Sequence, residues 1–244
     1  MGSANRPRRW RGTITAPIRE CRLRGPTSAS TGQGPSTARP IHVSTGPKGR
    51  SRLAIFARAG RRGEVKRRLA ADIGDEAALG VHLELLQATL TALAPGTGAF
   101  DPELWLAGEG ALPPGAAALP QRQQPAGDLG ARMLAAFEDG VRVLVGSDVP
   151  TLTAAHVDDA LARLALADVA FIPTEDGGYC LVAMHAPTPE IFRDIPWGTS
   201  SVMECTLART GGRRVALTKA LWDVDTVSDY HRWLSEVPRS EAPP

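Results

Sequence analysis

Short apolar runs alternate with longer amphipathic segments between residues 53 and 234. Runs of four to six mostly apolar residues, bounded by Gly, Pro or charged residues, indicate buried β-strands. The runs of this kind are Leu53–Ala57, Glu103–Ala107, Arg142–Gly146, Val169–Pro173, Tyr179–Met184 and Arg214–Leu217. A further short strand is expected within Pro113–Gln124.

The segments between these runs have the spacing of amphipathic helices. Asp75–Ala94 carries Leu and Ala at helical intervals and ends at Pro95-Gly96, a pair that terminates helices. The other predicted helices are Gly127–Asp139, Ala154–Ala165, Ser200–Arg209 and Val227–Leu234. Strands separated by helices of this length predict an α/β fold, with a mostly parallel central sheet and helices on both faces.

The first fifty residues differ from the rest in charge. They hold ten Lys or Arg residues and one acid, Glu20, whereas the other 194 residues hold 18 basic and 25 acidic residues. We expect residues 1–50 to be a disordered tail, residues 51–237 one domain and residues 238–244 a second tail. The basic tail suits a nucleic-acid or anionic-membrane arm or a transit peptide, but solvated extensions have the same composition, and no specific nucleic-acid partner is predicted.

Composition also limits the setting of the protein. No stretch reaches the roughly 18 consecutive apolar residues of a membrane span, so we expect a soluble, cytoplasmic protein. The cysteines at positions 21, 180 and 205 form an odd, widely spaced set without a metal or redox motif. We interpret Cys180 and Cys205 as small core residues; the alternative, a thiolate nucleophile, would require a lowered pKa. The oligomeric state is not predicted.

Acidic turns recur at three places in the chain, at Asp148, at Asp176 and at Asp223–Asp225. Because α/β sheets bind ligands at the carboxyl ends of their strands, these turns suggest a divalent cation that holds a phosphorylated substrate. Mg²⁺ often takes one or two carboxylates plus substrate phosphates, which fits Asp148 together with Asp225. The alternative for Asp148 is a helix cap, but Thr153 lies closer to the start of the next helix.

Asp176 also begins a Gly-Gly turn. Asp-Gly is a strong hairpin signal, so the segment is expected to join two antiparallel strands before Tyr179. Gly177 and Gly178 would equally allow a ligand to approach the backbone, and Asp176 could accept a proton from a sugar or alcohol hydroxyl. The two interpretations are compatible.

A basic loop, Arg58–Lys66, follows the first predicted strand and contains Gly60 and Gly63, with Arg68 close behind. Backbone N–H groups and cations in such a loop can bind phosphates. The loop matches neither the Walker A motif nor the dinucleotide-binding fingerprint, so an exposed basic turn is the alternative.

The segment Ile195–Ser201 offers a second kind of surface. Trp197 could form a platform for a sugar or acceptor, and Gly198 and the hydroxyl of Thr199 lie beside it. Plain core packing is an equally good interpretation of Trp197, because Trp is largely buried on average.

Five segments in this order carry a resemblance to a known family. They are GDLGARM at Gly127–Met133, GSDVP at Gly146–Pro150, PTEDGGYCLVAM at Pro173–Met184, IPWGTSSV at Ile195–Val202 and DVDT at Asp223–Thr226. Together they resemble the DUF2064 family of small transferases, also called the radical-SAM/selenodomain-associated transferase 1 or arsenosugar-biosynthesis glycosyltransferase type. That family is similar to the GT-A nucleotide-diphospho-sugar transferase superfamily.

The resemblance implies a single GT-A Rossmann-like domain in which a nucleotide lies over the loop after the first strand and Mg²⁺ or Mn²⁺ bridges its diphosphate. Asp148 and Asp225 are the implied metal ligands, and Asp148 and Asp176 the implied catalytic residues. The implied nucleotide or phosphate contacts are Gly60, Gly63, Lys66, Arg68 and Asp128, and the implied sugar or acceptor contacts are Gly177, Gly178, Tyr179, Trp197 and Thr199.

The implied function is a metal-dependent glycosyltransferase with a nucleotide-diphospho-sugar donor and a small-molecule acceptor. One alternative is a nucleotidyltransferase, which would join a nucleoside triphosphate to a phosphorylated acceptor and release pyrophosphate. A second alternative is a catalytically inactive nucleotide-binding module. It is motivated by the segment Gly60–Gly63, which replaces the Pro-Val-Pro-Gly turn of the family, and by Arg67, which replaces the family's threonine.

Overall fold

The apolar runs of the sequence pair into one seven-stranded sheet within residues 49–237, the part of the chain that the computed structural model describes. The strands are β1 (Ser51–Arg58), β2 (Phe100–Ala107), β3 (Gln121–Gln123), β4 (Val143–Val145), β5 (Val169–Pro173), β6 (Tyr179–Met184) and β7 (Val215–Leu217). The α-helices are α1 (Arg67–Ile73), α2 (Asp75–Ala92), α3 (Leu129–Glu138), α4 (Ala154–Arg163), α5 (Val202–Ala208) and α6 (Val227–Glu236). Two 3₁₀ helices, Pro114–Ala118 and Pro189–Phe192, complete the described elements.

The strands lie in the order β3-β2-β1-β4-β6-β5-β7. Only β6 is antiparallel to its neighbours β4 and β5 in this described sheet. The turn Asp176–Gly178 joins β5 to β6, so the hairpin predicted from Asp-Gly is confirmed. The carboxyl ends of β1, β2, β4 and β5 and the amino end of β6 therefore meet at one side of the sheet, which we call the carboxyl edge.

Side chains alternate along β1 between two cores. Ile55 belongs to a cluster with Leu86 of α2 and Val157 of α4. Phe56 belongs to a separate cluster that includes Met133 of α3. Helices thus cover both faces of a mostly parallel sheet, which confirms the predicted fold class.

Helix α1 was not predicted, and it joins a third cluster. It begins after Lys66, whose φ of 48° is left-handed, and Leu69 is its buried residue. Leu69 packs in one cluster with Trp222 and with Trp233 of α6. Because one buried residue in a seven-residue helix gives no periodic signal, the sequence pattern does not reveal α1.

Most of the expected tails lies outside the described residues, which exclude positions 1–48 and 238–244. The predicted tail and domain boundaries therefore stay predictions. Within the described part of the chain, no helix has the length and apolar character needed to cross a membrane.

Candidate functional site

A cleft of about 400 Å³ opens at the carboxyl edge of the sheet. Its wall includes three acidic side chains, those of Asp148, Asp176 and Asp223. Four of the predicted sugar or acceptor contacts also line it, namely Gly178, Tyr179, Trp197 and Thr199. The predicted convergence of acidic turns at one edge is therefore present, although the acids that face the cleft differ in part from those predicted.

A buried lysine holds Asp148 at the rim of the cleft. Lys66 Nζ lies 2.7 Å from Asp148 Oδ1 and donates a hydrogen bond to the Val224 carbonyl oxygen, also at 2.7 Å. The Val224 N–H donates in turn to the Asp148 carbonyl oxygen at 3.0 Å. The Lys66 side chain is 6% exposed and that of Asp148 is 47% exposed. Lys66, predicted as a phosphate ligand, thus ties the turn of Asp148 to the segment around Val224.

Asp223 is the acid of the D-V-D turn that lines the cleft. Burial, followed by the carboxylates of Asp176 and Asp148, raises the pKa of Asp223 to about 6. A carboxylate perturbed in this way inside a cleft is a candidate functional group. The sequence did not single out Asp223, because the turn offers two acids two residues apart and no local signal separates them.

Asp225, the predicted metal ligand, belongs to the start of α6. Its Oδ2 lies 2.9 Å from Arg68 Nη1, and both side chains are exposed. The Asp225 N–H donates to the Asp229 carboxylate at 3.2 Å. The same carboxylate accepts the Thr226 N–H at 2.8 Å and so caps the helix. Arg68, a predicted phosphate contact, is therefore paired with Asp225, the predicted metal ligand.

The loop after β1 uses its first glycine for packing. Gly60 and Ala111 exchange two backbone hydrogen bonds of 2.8 Å, and a Cβ at position 60 would lie 2.8 Å from Leu79 Cδ1. Gly63 differs, because it is exposed and has a left-handed φ of 77°. Of the two glycines predicted to contact phosphate, Gly60 thus has its N–H paired with Ala111, whereas the Gly63 N–H takes no part in that pairing.

The Asp176 turn is fixed by its own hydrogen bonds and by α5. Asp176 Oδ1 accepts from Thr174 Oγ1 at 2.5 Å and from the Gly178 N–H at 3.0 Å. Gly177 has a φ of 96°, and a Cβ there would lie only 2.1 Å from the Ser200 carbonyl oxygen. The turn therefore requires glycine at this position and presents Asp176 to the cleft in a defined orientation.

Tyr179 and Trp197 form an aromatic wall of the cleft. Their ring centroids lie 6.4 Å apart in an edge-on arrangement, and the Trp197 indole packs closely against Gly130 of α3. Burial raises the pKa of the Tyr179 hydroxyl. Thr199 lies beside this wall and donates its hydroxyl to the Pro196 carbonyl oxygen at 2.8 Å. Trp197 is thus partly buried against the core and also lines the cleft, and its contact with a sugar or acceptor stays a prediction.

Helix α3 contributes a different residue from the one predicted. The Asp128 carboxylate accepts the Ala131 N–H at 2.8 Å and so caps the helix. Arg132, about one turn further along, lines the cleft. Asp128 was predicted to contact the nucleotide, whereas its carboxylate is engaged at the helix start.

Two other cleft residues carry no sequence motif. His82 of α2 is 5% exposed, and its Nε2 lies 2.9 Å from the Arg58 carbonyl oxygen. The carbonyl oxygen can only accept, so Nε2 is the donor, and burial lowers the pKa of His82. Gln124 also lines the cleft and donates to the Trp105 carbonyl oxygen at 2.9 Å. Both are single polar residues, which sequence spacing alone does not mark as functional.

The acids of the cleft suit a cation that shares its ligands with a substrate. Across residues 49–237, no group of three or more His, Cys, Asp or Glu side chains could hold a metal ion. Asp148 and Asp223 nevertheless offer two carboxylates on connected segments of one rim. Mg²⁺ and similar hard cations prefer oxygen ligands and often complete their shell with phosphate and water. The donor set therefore fits Mg²⁺ or Mn²⁺ bound together with a phosphorylated molecule.

Comparison with protein families supports the predicted resemblance. A family described as "Uncharacterized protein conserved in bacteria (DUF2064)" matches residues 85–199. This range includes Asp148, the Asp176 turn and Trp197, so the predicted resemblance is confirmed over these residues, while the segment Asp223–Thr226 lies outside the match. No curated protein matches the chain.

Solved structures of other proteins match much of the chain. A "putative nucleotide-diphospho-sugar transferase" from Desulfovibrio desulfuricans G20 is 29% identical, with 79% of this chain and 89% of that chain covered and a TM-score of 0.67. A Mycobacterium sp. strain JC1 homologue of Mycobacterium tuberculosis Rv0371c is 21% identical, with 77% and 98% covered and a TM-score of 0.47. A nucleotidyl transferase from Methanothermobacter thermautotroptrophicus is 17% identical, with 75% and 95% covered and a TM-score of 0.49. The predicted transferase class agrees with the description of the Desulfovibrio protein.

Proposed function

We propose that this chain is a divalent-metal-dependent glycosyltransferase that uses a nucleotide-diphospho-sugar donor and a small-molecule acceptor. The observation that carries the proposal is that Asp148 and Asp223 both line the cleft at the carboxyl edge. Their segments are joined by contacts of Lys66 and Val224. The likeness to the Desulfovibrio protein supports the choice of a nucleotide sugar as donor.

The proposed roles follow from what each side chain contacts. Asp148 and Asp223 would hold Mg²⁺ or Mn²⁺, whose charge would offset that of the donor diphosphate. Lys66 would hold the Asp148 carboxylate in place through their ion pair. The exposed Gly63 and the arginines around it suit the phosphates, because backbone N–H groups and guanidinium groups both bind phosphate oxygens.

A neighbouring part of the cleft suits the sugar or the acceptor. Tyr179 and Trp197 provide apolar ring surface, and Asp176 provides a fixed carboxylate that can accept a hydrogen bond from a hydroxyl group. Because the two proposed metal ligands and the aromatic wall line one cleft, donor and acceptor would be held side by side. Rate enhancement would then come from positioning and charge stabilisation.

Removing the Asp148 carboxylate tests the proposal most directly. We expect Asp148→Asn to weaken Mn²⁺-dependent binding of a nucleotide sugar on the order of 100-fold, since a direct ligand should matter at least as much as an outer-shell partner. The measurement is calorimetric titration with the nucleotide sugar that most raises the wild-type melting temperature, because a ligand that binds the native state stabilises it.

The matched control is Asp168→Asn. Asp168 pairs with Arg214 at 2.9 Å, next to the amino ends of β5 and β7 and therefore at the edge opposite the cleft. The Asp168→Asn variant should bind the nucleotide sugar with wild-type affinity. An Asp148→Asn variant that binds the donor with wild-type affinity would contradict the proposal.

Product analysis separates glycosyl transfer from the other functions. Release of a nucleoside diphosphate from a nucleotide sugar is the expected result. Pyrophosphate released from a nucleoside triphosphate would instead identify a nucleotidyltransferase, and tight binding with no turnover of any donor would identify an inactive module.

A further inference from the structure

Arg232 of α6 lies behind the acidic turns of the cleft. Its Nη1 donates to Glu175 Oε2 at 2.8 Å, and its guanidinium carbon lies 4.3 Å from the centroid of the Trp222 ring. Its Nε also contacts the Glu236 carboxylate at 3.2 Å within the helix. The guanidinium group therefore stacks on one segment and forms an ion pair with another.

Each of the two partners directly precedes an acid of the cleft. Glu175 comes before Asp176, and Trp222 comes before Asp223. The two segments also run side by side, because the Glu175 N–H donates to the Leu221 carbonyl oxygen at 3.0 Å. Arg232 thus bridges the outer sides of two segments whose acids both line the cleft.

We propose that Arg232 is a positioning residue that sets the separation of the Asp176 and Asp223 carboxylates. This inference rests on the proposed function, because the separation matters only if the two acids serve one bound cation and substrate. Like charges on neighbouring segments repel each other, so the turns need a restraint from behind. A planar guanidinium suits this task, since it can stack on an indole and donate to a carboxylate at the same time, which an ammonium group cannot do equally well.

The role differs from a contribution to overall stability. The Arg232 side chain is 35% exposed and that of Glu175 is 48% exposed, and ion pairs at such positions contribute little to the folding free energy. Loss of the pair should therefore change the site far more than the melting temperature.

The test compares Arg232→Gln and Arg232→Lys with the wild type. We expect Arg232→Gln to weaken Mn²⁺ binding about tenfold in the presence of the stabilising nucleotide sugar, as measured by electron paramagnetic resonance, because outer-shell partners commonly have effects of this size. Amide exchange of residues 174–178 should become faster, and the melting temperature should change little. Arg232→Lys should retain part of the Mn²⁺ affinity, which shows that the fold is intact.

Arg163→Gln is the matched control. It removes a 2.9 Å ion pair with Asp159 on α4, whose side chains are 43% and 49% exposed. Both the Mn²⁺ affinity and the exchange of residues 174–178 should stay at wild-type values.

The outcomes separate this inference from the proposed function. If the wild type binds neither Mn²⁺ nor any nucleotide sugar, the proposed function fails, and amide exchange still decides whether Arg232 restrains the turn. If the wild type binds both but Arg232→Gln matches it in affinity and exchange, the positioning role is overturned. Faster exchange together with weaker Mn²⁺ binding supports it.

Discussion

Two charged clusters lie at opposite edges of the same sheet and differ in how their charges are balanced. Near the amino ends of β1 and β2, Arg52 contacts Glu103 at 2.5 Å and Asp139 at 2.7 Å. Arg122 contacts the same two acids at 2.7 and 3.2 Å. We call these four residues the amino-edge cluster. Two cations and two anions neutralise one another there, so this cluster needs no other partner.

The acids at the carboxyl edge are balanced differently. Of Asp148, Asp176 and Asp223, only Asp148 forms an ion pair within the described residues, with Lys66. Asp176 accepts hydrogen bonds from neutral donors, and the pKa of Asp223 is raised to about 6, first by burial. Charge that the protein itself does not neutralise marks a place where a ligand would gain most. The comparison supports the proposal that the carboxyl edge binds a ligand, whereas the charges of the amino-edge cluster are balanced within the protein.

The largest expected effect on stability comes from breaking the amino-edge cluster. Glu103→Ala should lower the free energy of unfolding by about 3 kcal/mol, because it leaves the largely buried Arg52 without its main partner. Urea denaturation measures this change, and nucleotide-sugar binding by the folded variant should be unaffected. A change below about 0.5 kcal/mol, the usual range for surface substitutions, would show that the cluster is not structural.

Removing a carboxylate from the carboxyl edge should instead increase the stability of the fold. Asp223→Asn should raise the free energy of unfolding at pH 7.5 by about 1–2 kcal/mol, since it removes a charge that burial and nearby acids disfavour. The same variant should lose Mn²⁺-dependent donor binding. A variant that is both destabilised and able to bind the donor would remove the distinction between the two edges.

The pH dependence of Asp223→Asn gives an independent check. The folded-state pKa of Asp223 is about 6, above its ordinary value of 3.8, so the folded protein holds this proton more tightly than the unfolded chain. The stability contributed by that proton is fully present below about pH 4 and is lost as the pH rises through about 6. The difference in unfolding free energy between variant and wild type should therefore be near zero below about pH 4 and should increase as the pH rises through about 6.

The smallest effect is expected for Asp225→Asn. Asp225 pairs with an Arg68 side chain that is 74% exposed, so the free energy of unfolding should change by less than about 0.5 kcal/mol. Donor binding should stay within about threefold of the wild type, the change expected when no ligand contact is lost. If Asp225→Asn abolished binding and Asp223→Asn did not, the metal site predicted from the sequence would be the correct one.

Most strands and helices could be predicted because their apolar patterns are local. The start of β2 could not be predicted, since Pro102 lies inside the strand. Pro102 pairs with Leu53 of β1, but β3 covers β2 only from Leu104 onward, so β2 is an edge strand at Pro102 and tolerates the missing N–H. Helix α1 could not be predicted either, because its burial depends on Trp233, which is distant in the sequence.

The candidate site could be predicted as a set of turns but not as a set of contacts. Asp148 and Asp176 follow apolar strands, and this position alone brings them to the carboxyl edge. The role of Lys66 depends on two groups far along the chain, Asp148 and the Val224 carbonyl oxygen, and no local pattern records such contacts. His82 and Arg132 line the cleft only because α2 and α3 pack on opposite faces of the sheet.

The sequence by itself determined the α/β architecture, the hairpin at Asp176 and the acidic turns that end at one edge, because apolar periodicity and turn chemistry act over a few neighbouring residues. Tertiary structure alone decided which acid of the D-V-D turn faces the cleft. Asp223 and Asp225 are chemically identical, and they are distinguished by Arg68, which pairs with one, and by burial among distant carboxylates, which perturbs the other. Long-range contacts set those environments, and local sequence does not encode them.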